Sequence, residues 1–511
     1  MNADVLAGLV LASAATSLLA TACGSLVGLV VGMIPGMTIS TGIIILLPLT
    51  FVLAPQISIA LLLGLYVGGM TGGSFSAILL NIPGTPSASA TAIDGYPMAR
   101  RGEAGRALGI SISASFAGGM ASFLCLFLIA PLLADVALSF RTPDMFALVL
   151  FGLTIICSFA ARSLVKALLS AVLGLLIVTI GQDPVMGTAR FTFGEVEMLG
   201  GIHFLTAMIG LFAIPQLVEN LAPGGALAAP VQRIAPGWRA VLPSLADLRA
   251  IRLAVAMGSG LGAGLGIMPG VGGPIAAFIA YDYARRTSRR PEEFGKGSPE
   301  GVAAPEAANN GVTGGALIPM MTLGIPGDPV TAILIGALMI HGLAPGPLLF
   351  IERADFAYGI IFSFLWANVF GILIAFAGLR VLVRLLAMPK PLLMPLVAVL
   401  CVVGSYALAN SFFDVMVMFL FGVLGLAMRW AGLPVVPLLL ALVLGRQVEE
   451  TLRVSLTGSQ GDVTVFLTSP ISLAFLLLSV VSVVWSLRPR GGWIAAASGR
   501  RAGPRQTPEG S

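Results

Sequence analysis

Apolar stretches follow one another along almost the whole chain, from near Leu6 to near Leu487, with short polar interruptions between them. Most of them are about 17 to 25 residues long, the length that a helix needs to cross a hydrocarbon core of about 30 Å. A transmembrane β-barrel would instead require apolar and polar residues to alternate. We therefore predict an all-α integral membrane protein, a polytopic helical bundle in the lipid bilayer.

One interruption differs from the others because it is polar and contains two prolines. It spans residues 81–91, with the sequence Asn-Ile-Pro-Gly-Thr-Pro-Ser-Ala-Ser-Ala-Thr. Its core, Ile-Pro-Gly-X-Pro, recurs in residues 323–332, where Asp328 occupies the position of Thr85. This recurrence indicates that the chain contains two copies of one unit.

A second pair of motifs supports the repeat. In each half, three glycines at four-residue spacing precede a Pro-Gly pair: Gly24, Gly28, Gly32 and Pro35-Gly36 in the first half, and Gly258, Gly262, Gly266 and Pro269-Gly270 in the second. Small residues at this spacing allow two helices to pack closely in lipid, which is common in membrane proteins. Helix packing explains the glycines, but it does not explain the Pro-Gly pair that follows them in both halves.

The repeat predicts how the chain is divided. We expect a first membrane repeat at residues 1–221 with breaks at 35–36 and 81–91, a linker at 222–250, a second membrane repeat at 251–487 with breaks at 269–273 and 323–332, and a disordered cytoplasmic tail at 488–511. When the basic loops are placed in the cytoplasm, about seven crossings separate the two copies. Because this number is odd, we predict inverted repeats containing broken helices or hairpins, an arrangement typical of secondary transporters.

Composition supports the membrane assignment and excludes other classes. Hydrophobic residues make up 57% of the chain and charged residues only 10%, which is far from the composition of a soluble protein. The formal charge of +5 arises mostly from basic residues clustered in loops, so nucleic-acid binding is not implied. The four cysteines and two histidines are isolated, so we expect no disulfide framework, metal site or cofactor. No catalytic constellation is visible, and we expect no enzymatic activity.

The breaks are the candidate binding site for an anion. Proline interrupts a membrane helix, and the free N–H groups and positive dipole end of the resulting half-helix favour a carboxylate. Neutral hydroxyl and amide groups in the first copy add hydrogen-bond donors. The candidate substrate-binding residues are Asn81, Gly84, Thr85, Ser87, Ser89, Pro35, Gly36, Pro269, Gly270, Gly327 and Thr331.

Asp328 is the strongest candidate for coupling to a cation, together with Asn310 and Thr313. A carboxylate at membrane depth is costly, so it usually faces a cavity and has a function, which here would be to coordinate Na⁺ or to carry a proton. Asp is also a favoured N-cap, and Asp328 directly precedes Pro329, a residue type common in the first turn of a helix. Both interpretations of Asp328 therefore remain open at this point.

Three further polar positions are expected to face water. Glu306 and Asp282 lie near a charged loop and are predicted to be solvated on the cytoplasmic side. Residues 94–106, Asp-Gly-Tyr-Pro-Met-Ala-Arg-Arg-Gly-Glu-Ala-Gly-Arg, contain several turn-forming residues and are predicted to form a cytoplasmic turn. A gate or a subunit contact is the alternative interpretation of this segment.

The motifs as a set resemble those of the large membrane subunit of bacterial tripartite tricarboxylate transporters. The resemblance is carried by Pro-Gly-Met at 35–37, Asn-Ile-Pro-Gly-Thr-Pro at 81–86, the connector at 94–106, Pro-Gly-Val-Gly-Gly at 269–273 and Gly-Ile-Pro-Gly-Asp-Pro at 324–329. It implies a multi-pass protein of the bacterial inner membrane that imports tricarboxylates or related carboxylates by symport with Na⁺ or H⁺. It also implies two partners, a small membrane subunit and a periplasmic solute-binding protein. A stand-alone carboxylate symporter is the alternative.

Overall fold

The computed structural model describes residues 2–34, 37–159, 163–221, 241–385 and 393–487. Within these ranges the chain is almost entirely helical. The described part contains one pair of strands, Gly181–Gln182 and Ala189–Arg190, which are antiparallel with Gly181 opposite Arg190. The prediction of an all-α protein is confirmed.

The helices of the first half are α1 (Asn2–Ser13), α2 (Ala15–Met33), α3 (Ile39–Thr50), α4 (Pro55–Leu80), α5 (Ala88–Met98), α6 (Ala104–Ala137), α7 (Thr142–Phe159), α8 (Leu164–Val178) and α9 (Phe204–Leu221). A π-helical turn at Ala99–Glu103 joins α5 to α6, and a 3₁₀ turn at Glu197–Gly200 follows the strand pair.

The helices of the second half are α10 (Leu245–Gly266), α11 (Gly272–Thr287), α12 (Pro299–Leu323), α13 (Pro329–Ile340), α14 (Leu349–Glu352), α15 (Ala354–Leu385), α16 (Leu393–Ala409), α17 (Phe412–Ala431), α18 (Val435–Gly458), α19 (Val465–Thr468) and α20 (Pro470–Leu487). A 3₁₀ turn at Pro291–Glu293 lies between α11 and α12. Helix α10 begins inside the range 222–250, whose residues 222–240 lie outside the described chain, as do Pro35, Gly36 and the tail at 488–511.

Six helical segments of the described chain are long and apolar enough to cross a membrane. They are Ala15–Met33, Pro55–Leu80, Ala88–Ala137, Leu245–Gly266, Ala354–Arg384 and Phe412–Ala431. Shorter apolar helices, among them α3, α8 and α13, accompany them. This set of helices identifies a multi-pass membrane protein.

Helices α4 and α12 form the centre of the bundle. Nearly every residue of α4 from Gln56 to Leu79 is buried, as is every residue of α12 from Gly301 to Thr322. A helix that is buried on all sides must be surrounded by other helices. The buried part of α12 carries the carboxylate of Glu306 and the amides of Asn309 and Asn310, which therefore lie inside the protein.

The glycines at four-residue spacing bring helices into close contact in the same way in both halves. In the first half α2 packs on α4, and a Cβ atom added to Gly28 would lie 2.3 Å from the carbonyl oxygen of Leu65. In the second half α10 packs on α12, and a Cβ atom added to Gly262 would lie 2.2 Å from the carbonyl oxygen of Ala308. The packing interpretation of these glycines is confirmed, and the inverted orientation of the two copies stays a prediction.

The Ile-Pro-Gly motifs end α4 and α12 with the same backbone geometry. Asn81 and Gly324, at matching positions, are in the left-handed conformation with φ of 56° and 68°. Their amides donate to the carbonyl oxygens of Ser76 and Pro319, which closes each helix end. Gly and Asn are the residues that most readily adopt this conformation. The helix breaks predicted at these motifs are therefore present.

The segment at residues 94–106, predicted to be a turn, is mostly helical, and the chain turns in it only at one kink. Residues 94–101 continue α5 into the π-helical turn, and a kink at Gly102, with φ of 84°, and Glu103, with φ of −94° and ψ of 24°, separates them from α6. Asp94 is buried and accepts hydrogen bonds from the Tyr281 hydroxyl at 2.8 Å and from the amides of Gly297 at 2.7 Å and Ser298 at 2.8 Å. Because protein donors satisfy the carboxylate, the segment does not need water.

Candidate functional site

The helix breaks converge on one cavity of about 410 Å³. The first half contributes Thr38, Ile39, Ser40, Thr85, Pro86 and Ser87, and the second half contributes Gly270, Val271, Gly272, Gly273, Pro326, Gly327 and Asp328. Met70 of α4, Phe212 of α9 and Leu440 of α18 add apolar surface. The cavity is therefore built from corresponding segments of the two halves.

Four helices begin at the wall of this cavity. Thr38 precedes α3, Ser87 precedes α5, Val271 precedes α11 and Asp328 precedes α13, and all four residues line the cavity. The N-terminus of each helix carries a partial positive charge. Among the described residues no lysine, arginine or histidine lines the cavity, and Asp328 is its one ionisable side chain. The positive potential here comes from the backbone.

Asp328 is the N-cap of α13. Its Oδ1 accepts a hydrogen bond from the amide of Thr331 at 2.8 Å, and its own amide donates to Oγ1 of Thr331 at 2.9 Å, which together form a capping box. Its Oδ2 accepts a hydrogen bond from the Tyr66 hydroxyl at 2.6 Å. The capping interpretation of Asp328 is confirmed, and its coupling to a cation stays a prediction.

The first copy presents neutral hydroxyls where the second copy presents this carboxylate. The hydroxyl oxygens of Thr85 and Ser87 lie 3.2 Å apart at the cavity wall. The loop that carries them packs closely on α2, because a Cβ atom added to Gly84 would lie 1.9 Å from the carbonyl oxygen of Gly32. This contact fixes the position of the two hydroxyls relative to the helices behind them.

A backbone hydrogen bond links the two breaks of the second half. The amide of Gly270 donates to the carbonyl oxygen of Gly327 at 2.8 Å. A Cβ atom added to Gly327 would lie 2.7 Å from Cα of Ala316 in α12, so this loop also packs without space for a side chain. The two loops therefore form one rigid wall of the cavity.

Five predicted residues among those described lie near the cavity without lining it: Asn81, Gly84, Ser89, Pro269 and Thr331. Asn81 caps the end of α4 and is exposed, whereas Gly84 and Thr331 are buried and hold their loops in place. Pro35 and Gly36 lie outside the described residues, although Thr38 and the residues that follow it do reach the cavity. Five of the predicted positions do line it, namely Thr85, Ser87, Gly270, Gly327 and Asp328.

Asn310 and Thr313 lie apart from Asp328, in the contact between the two central helices. The Thr71 hydroxyl of α4 donates to Oδ1 of Asn310 at 3.1 Å, and Nδ2 of Asn310 donates to the carbonyl oxygen of Glu306 at 3.1 Å. The hydroxyl of Thr313 donates to the carbonyl oxygen of Asn310 at 2.5 Å. None of the hydrogen bonds described for Asn310 and Thr313 reaches Asp328, and their joint binding of a cation stays a prediction.

The prediction that Glu306 is solvated is wrong. Its side chain is 0% exposed, and its two carboxylate oxygens accept hydrogen bonds from the hydroxyls of Thr91 at 2.5 Å and Ser115 at 3.0 Å. Asp282, in contrast, has a side chain that is 50% exposed and pairs with Arg286 at 2.8 Å. Glu306 looked similar to Asp282 because both are close in sequence to the charged loop.

One signal in the sequence could have identified Glu306 as buried. Glu306, Asn309, Asn310 and Thr313 follow one another at spacings of three, one and three residues, which places them on one face of a helix. Asn309 also lies in the centre of the protein, where its Nδ2 donates to the carbonyl oxygen of Met70 at 3.1 Å. A polar face on a helix that is otherwise apolar can point inward, and here it does.

Comparison with known proteins agrees with this architecture. Residues 18–440 match the family described as the tripartite tricarboxylate transporter TctA family. An uncharacterized 52.8 kDa protein in the TAR-I ttuC' 3' region of Agrobacterium vitis is 39% identical over 466 residues, which cover 91% of this chain and 92% of that protein. An uncharacterized protein in the TAR-II ttuC' 3' region of the same organism is 38% identical over 223 residues, 44% of this chain and 92% of that protein. No solved structure matches. The chain belongs to the TctA family of tripartite tricarboxylate transporters.

Proposed function

We propose that this protein is the membrane permease subunit of a binding-protein-dependent secondary transporter in the bacterial inner membrane. It imports tricarboxylates or related carboxylates and is driven by a gradient of Na⁺ or H⁺. Family membership supports the transport role. The observation that carries the substrate class is a cavity at which four helices begin and whose described lining contains no basic side chain.

Helix N-termini are well suited to a substrate with several carboxylates. Each N-terminus stabilises an anion by about 0.3 to 1 kcal/mol at an exposed site and by up to about 2 kcal/mol when partly buried. Asp328 already caps the N-terminus of α13, whereas the N-termini of α3, α5 and α11 have no carboxylate at their caps and can each interact with one carboxylate of a tricarboxylate. The volume of about 410 Å³ falls within the range of small-molecule sites. Release of the substrate from helix N-termini is also easier than release from a lysine or arginine side chain, because a helix N-terminus carries only a partial positive charge.

The glycines of the cavity suit the same role. Gly270 and Gly272 have φ of 83° and 63°, and neither carries a side chain that would keep a ligand from the backbone. Met70, Phe212 and Leu440 add apolar surface to the wall. A carboxylate in this cavity therefore interacts with backbone dipoles in a medium of low polarity, where such interactions are strongest.

Alternating access follows from the placement of the cavity between the two halves. If the repeats are inverted, as predicted, a movement of one helix assembly against the other exposes the cavity first to one side of the membrane and then to the other. The periplasmic solute-binding protein delivers the substrate, and the small membrane subunit completes the complex. Entry of a cation together with the substrate makes accumulation possible.

The test is uptake of a panel of labelled carboxylates into vesicles that contain the protein and the small membrane subunit. The binding protein is added outside, and Na⁺ or pH gradients are imposed separately. We expect gradient-dependent accumulation of at least one tricarboxylate that requires the binding protein. Accumulation without the binding protein would instead indicate a stand-alone symporter, and transport driven only by ATP would contradict the proposal.

A further inference from the structure

A line of buried polar side chains runs along the interface between α5 and α12. On α5, Ser87, Thr91 and Asp94 are spaced by four and three residues and therefore share one face. Ser87 lies at the cavity beside Asn309, and Thr91 donates to Glu306 one turn further along. The line thus begins at the cavity and continues away from it through the interior of the protein.

The end of this line that is farther from the cavity lies near an exposed residue. Asp94 accepts hydrogen bonds from the amides of Gly297 and Ser298, in the loop before α12. The carbonyl oxygen of Gly297 in turn accepts a hydrogen bond from Nη2 of Arg101 at 2.8 Å, and Arg101 is exposed. Glu306 therefore lies between the central cavity and a charged surface.

Glu306 is the carboxylate in this line that lacks sufficient donors. Its partners are two neutral hydroxyls, of Thr91 and Ser115, and in the described parts of the chain no basic side chain pairs with it. Burial of an ionised carboxylate without a cation costs several kcal/mol. Asp94, in comparison, has three donors that include two backbone amides. Because Glu306 is buried, its ionised carboxylate requires a cation.

In the described chain, the helices around α12 place no basic side chain against Glu306. The titratable groups that face α12 are Asp94 on α5, Tyr281 on α11, which donates to Asp94, and Tyr66 on α4, which donates to Asp328. Helix α6 contributes Ser115, which donates to Glu306, and glycines of α6 and α10 bring the helices close together: Cβ atoms added to Gly118 and Gly258 would lie 2.0 Å and 2.4 Å from carbonyl oxygens of α12. This close packing leaves little room for a metal ion.

A proton fits this position better than Na⁺. A hard metal cation requires several oxygen ligands arranged around it. Besides the carboxylate, the two hydroxyls of Thr91 and Ser115 are the oxygens bonded to it here, and both already donate to Glu306. A proton needs one carboxylate oxygen and no additional space. A neutral carboxylic acid also removes the cost of burying the charge.

We propose that Glu306 is the proton-binding residue that couples carboxylate import to a proton gradient. This inference rests on the proposed transport function and specifies its driving ion. A hydronium ion in the water of the cavity gives a proton to one carboxylate oxygen of Glu306: an O–H bond of the hydronium ion breaks, an O–H bond to Glu306 forms, and the products are a water molecule and a neutral acid. After the protein opens to the other side, the same O–H bond breaks and the proton passes to water there, so that one proton crosses per cycle at this residue.

The test compares Glu306→Gln with Glu300→Gln in vesicles that contain the complete transporter. Gln resembles the protonated acid in size and polarity, and Glu300 is a matched control in the first turn of the same helix. Two rates are measured without Na⁺: exchange of labelled for unlabelled carboxylate, which needs no net proton movement, and accumulation driven by an imposed pH gradient. We expect Glu306→Gln to retain exchange and lose accumulation, and Glu300→Gln to retain both.

Accumulation by Glu306→Gln at the wild-type level under a pH gradient would overturn the proposal. Accumulation by the wild type that responds to Na⁺ alone would also overturn it, while leaving the transport function intact. If the wild type shows neither exchange nor accumulation, the transport function itself fails. If Glu306→Gln does not fold, Glu306→Asp provides a second variant. Because Asp keeps a carboxylate, we expect slower accumulation that still requires the pH gradient. Accumulation by Glu306→Asp that does not depend on the pH gradient would contradict the proposal.

Discussion

The hydroxyl of Tyr66 donates a hydrogen bond to Oδ2 of Asp328 at 2.6 Å, between two residues that are 262 positions apart in the chain. Tyr66 lies in α4, the central helix of the first half, and Asp328 caps α13 in the second half. Both side chains are buried. This bond therefore connects the core of one half to the helix break of the other, directly beside the cavity.

Tyr66→Phe removes this donor and leaves Oδ2 of Asp328 buried without it. A buried acceptor that loses its partner destabilises a protein by about 1 to 3 kcal/mol. We expect a lower thermal unfolding temperature of the purified protein, together with slower carboxylate uptake. Tyr283→Phe is the control, because Tyr283 is 49% exposed. Equal unfolding temperatures for the wild type and Tyr66→Phe would show that the bond does not stabilise the break.

Substitutions of Asp328 separate its role as a cap from its charge. Asn is as good an N-cap as Asp, whereas Ala removes the cap at a cost of about 0.5 to 2 kcal/mol. We expect Asp328→Asn to fold as stably as the wild type and Asp328→Ala to unfold at a lower temperature. Uptake by Asp328→Asn then tests the role of the charge, because this variant keeps the cap. Loss of gradient-driven uptake in Asp328→Asn indicates that the charge has a role in transport, and normal uptake shows that Asp328 acts as a cap alone.

The two loop glycines, Gly84 and Gly327, should not tolerate even a methyl group. A Cβ atom would lie 1.9 Å from the carbonyl oxygen of Gly32 in one case and 2.7 Å from Cα of Ala316 in the other. Because the nearby atoms belong to backbone, we expect Gly84→Ala and Gly327→Ala to reduce both stability and uptake. Gly264→Ala is the control, since no atom lies within 4 Å of its added Cβ, and replacing a helical glycine there should be neutral or slightly stabilising. Equal changes in stability and uptake in Gly84→Ala, Gly327→Ala and Gly264→Ala would contradict close packing of the loops.

The loop that contains the strand pair should become less stable in acid. The backbone amide of Met186, followed by the guanidinium of Arg453 at 2.5 Å, holds the pKa of the Asp183 carboxyl well below its usual range. A carboxyl with a depressed pKa stabilises the fold above its unfolded pKa of about 3.9 and loses this contribution as the pH falls further. We expect Asp183→Asn to be less stable than the wild type at neutral pH, with a difference that shrinks below about pH 4. Protease sensitivity of this loop, measured against pH, tests the prediction.

Much of the fold could be predicted from local sequence patterns. The length of the apolar stretches predicted helices, and the prolines and glycines at 81–91 and 323–332 predicted where α4 and α12 end. Capping by Asp328 was also visible, because N-caps depend on the residues immediately around them. These features are set by interactions between residues that are close in the chain.

The buried polar contacts could not be predicted in the same way. Glu306 lies in a stretch of Pro, Ala and Asn whose polarity is typical of an exposed helix, and its partners Thr91 and Ser115 are about two hundred residues away in the chain. The sequence placed Asp94 in a turn, because its backbone donors, in the loop before α12, are about two hundred residues away in the chain. Periodicity shows that Glu306 shares a helix face with Asn309, Asn310 and Thr313, but it does not reveal the distant donors that satisfy the buried carboxylate.

The central claim is that carboxylates bind in the cavity at which α3, α5, α11 and α13 begin. It is tested most directly by alkylation of a cysteine placed in that cavity, Ile275→Cys, in a variant whose four native cysteines are serine. Ile279→Cys, one turn further along α11, is the control, because Ile279 is exposed and does not line the cavity. Rates are measured with and without each carboxylate, at neutral and acidic pH, and with and without Na⁺. The proposed site predicts that a tricarboxylate slows alkylation of Ile275→Cys severalfold and leaves Ile279→Cys unchanged. Equal rates for Ile275→Cys with every carboxylate and under every condition would contradict it.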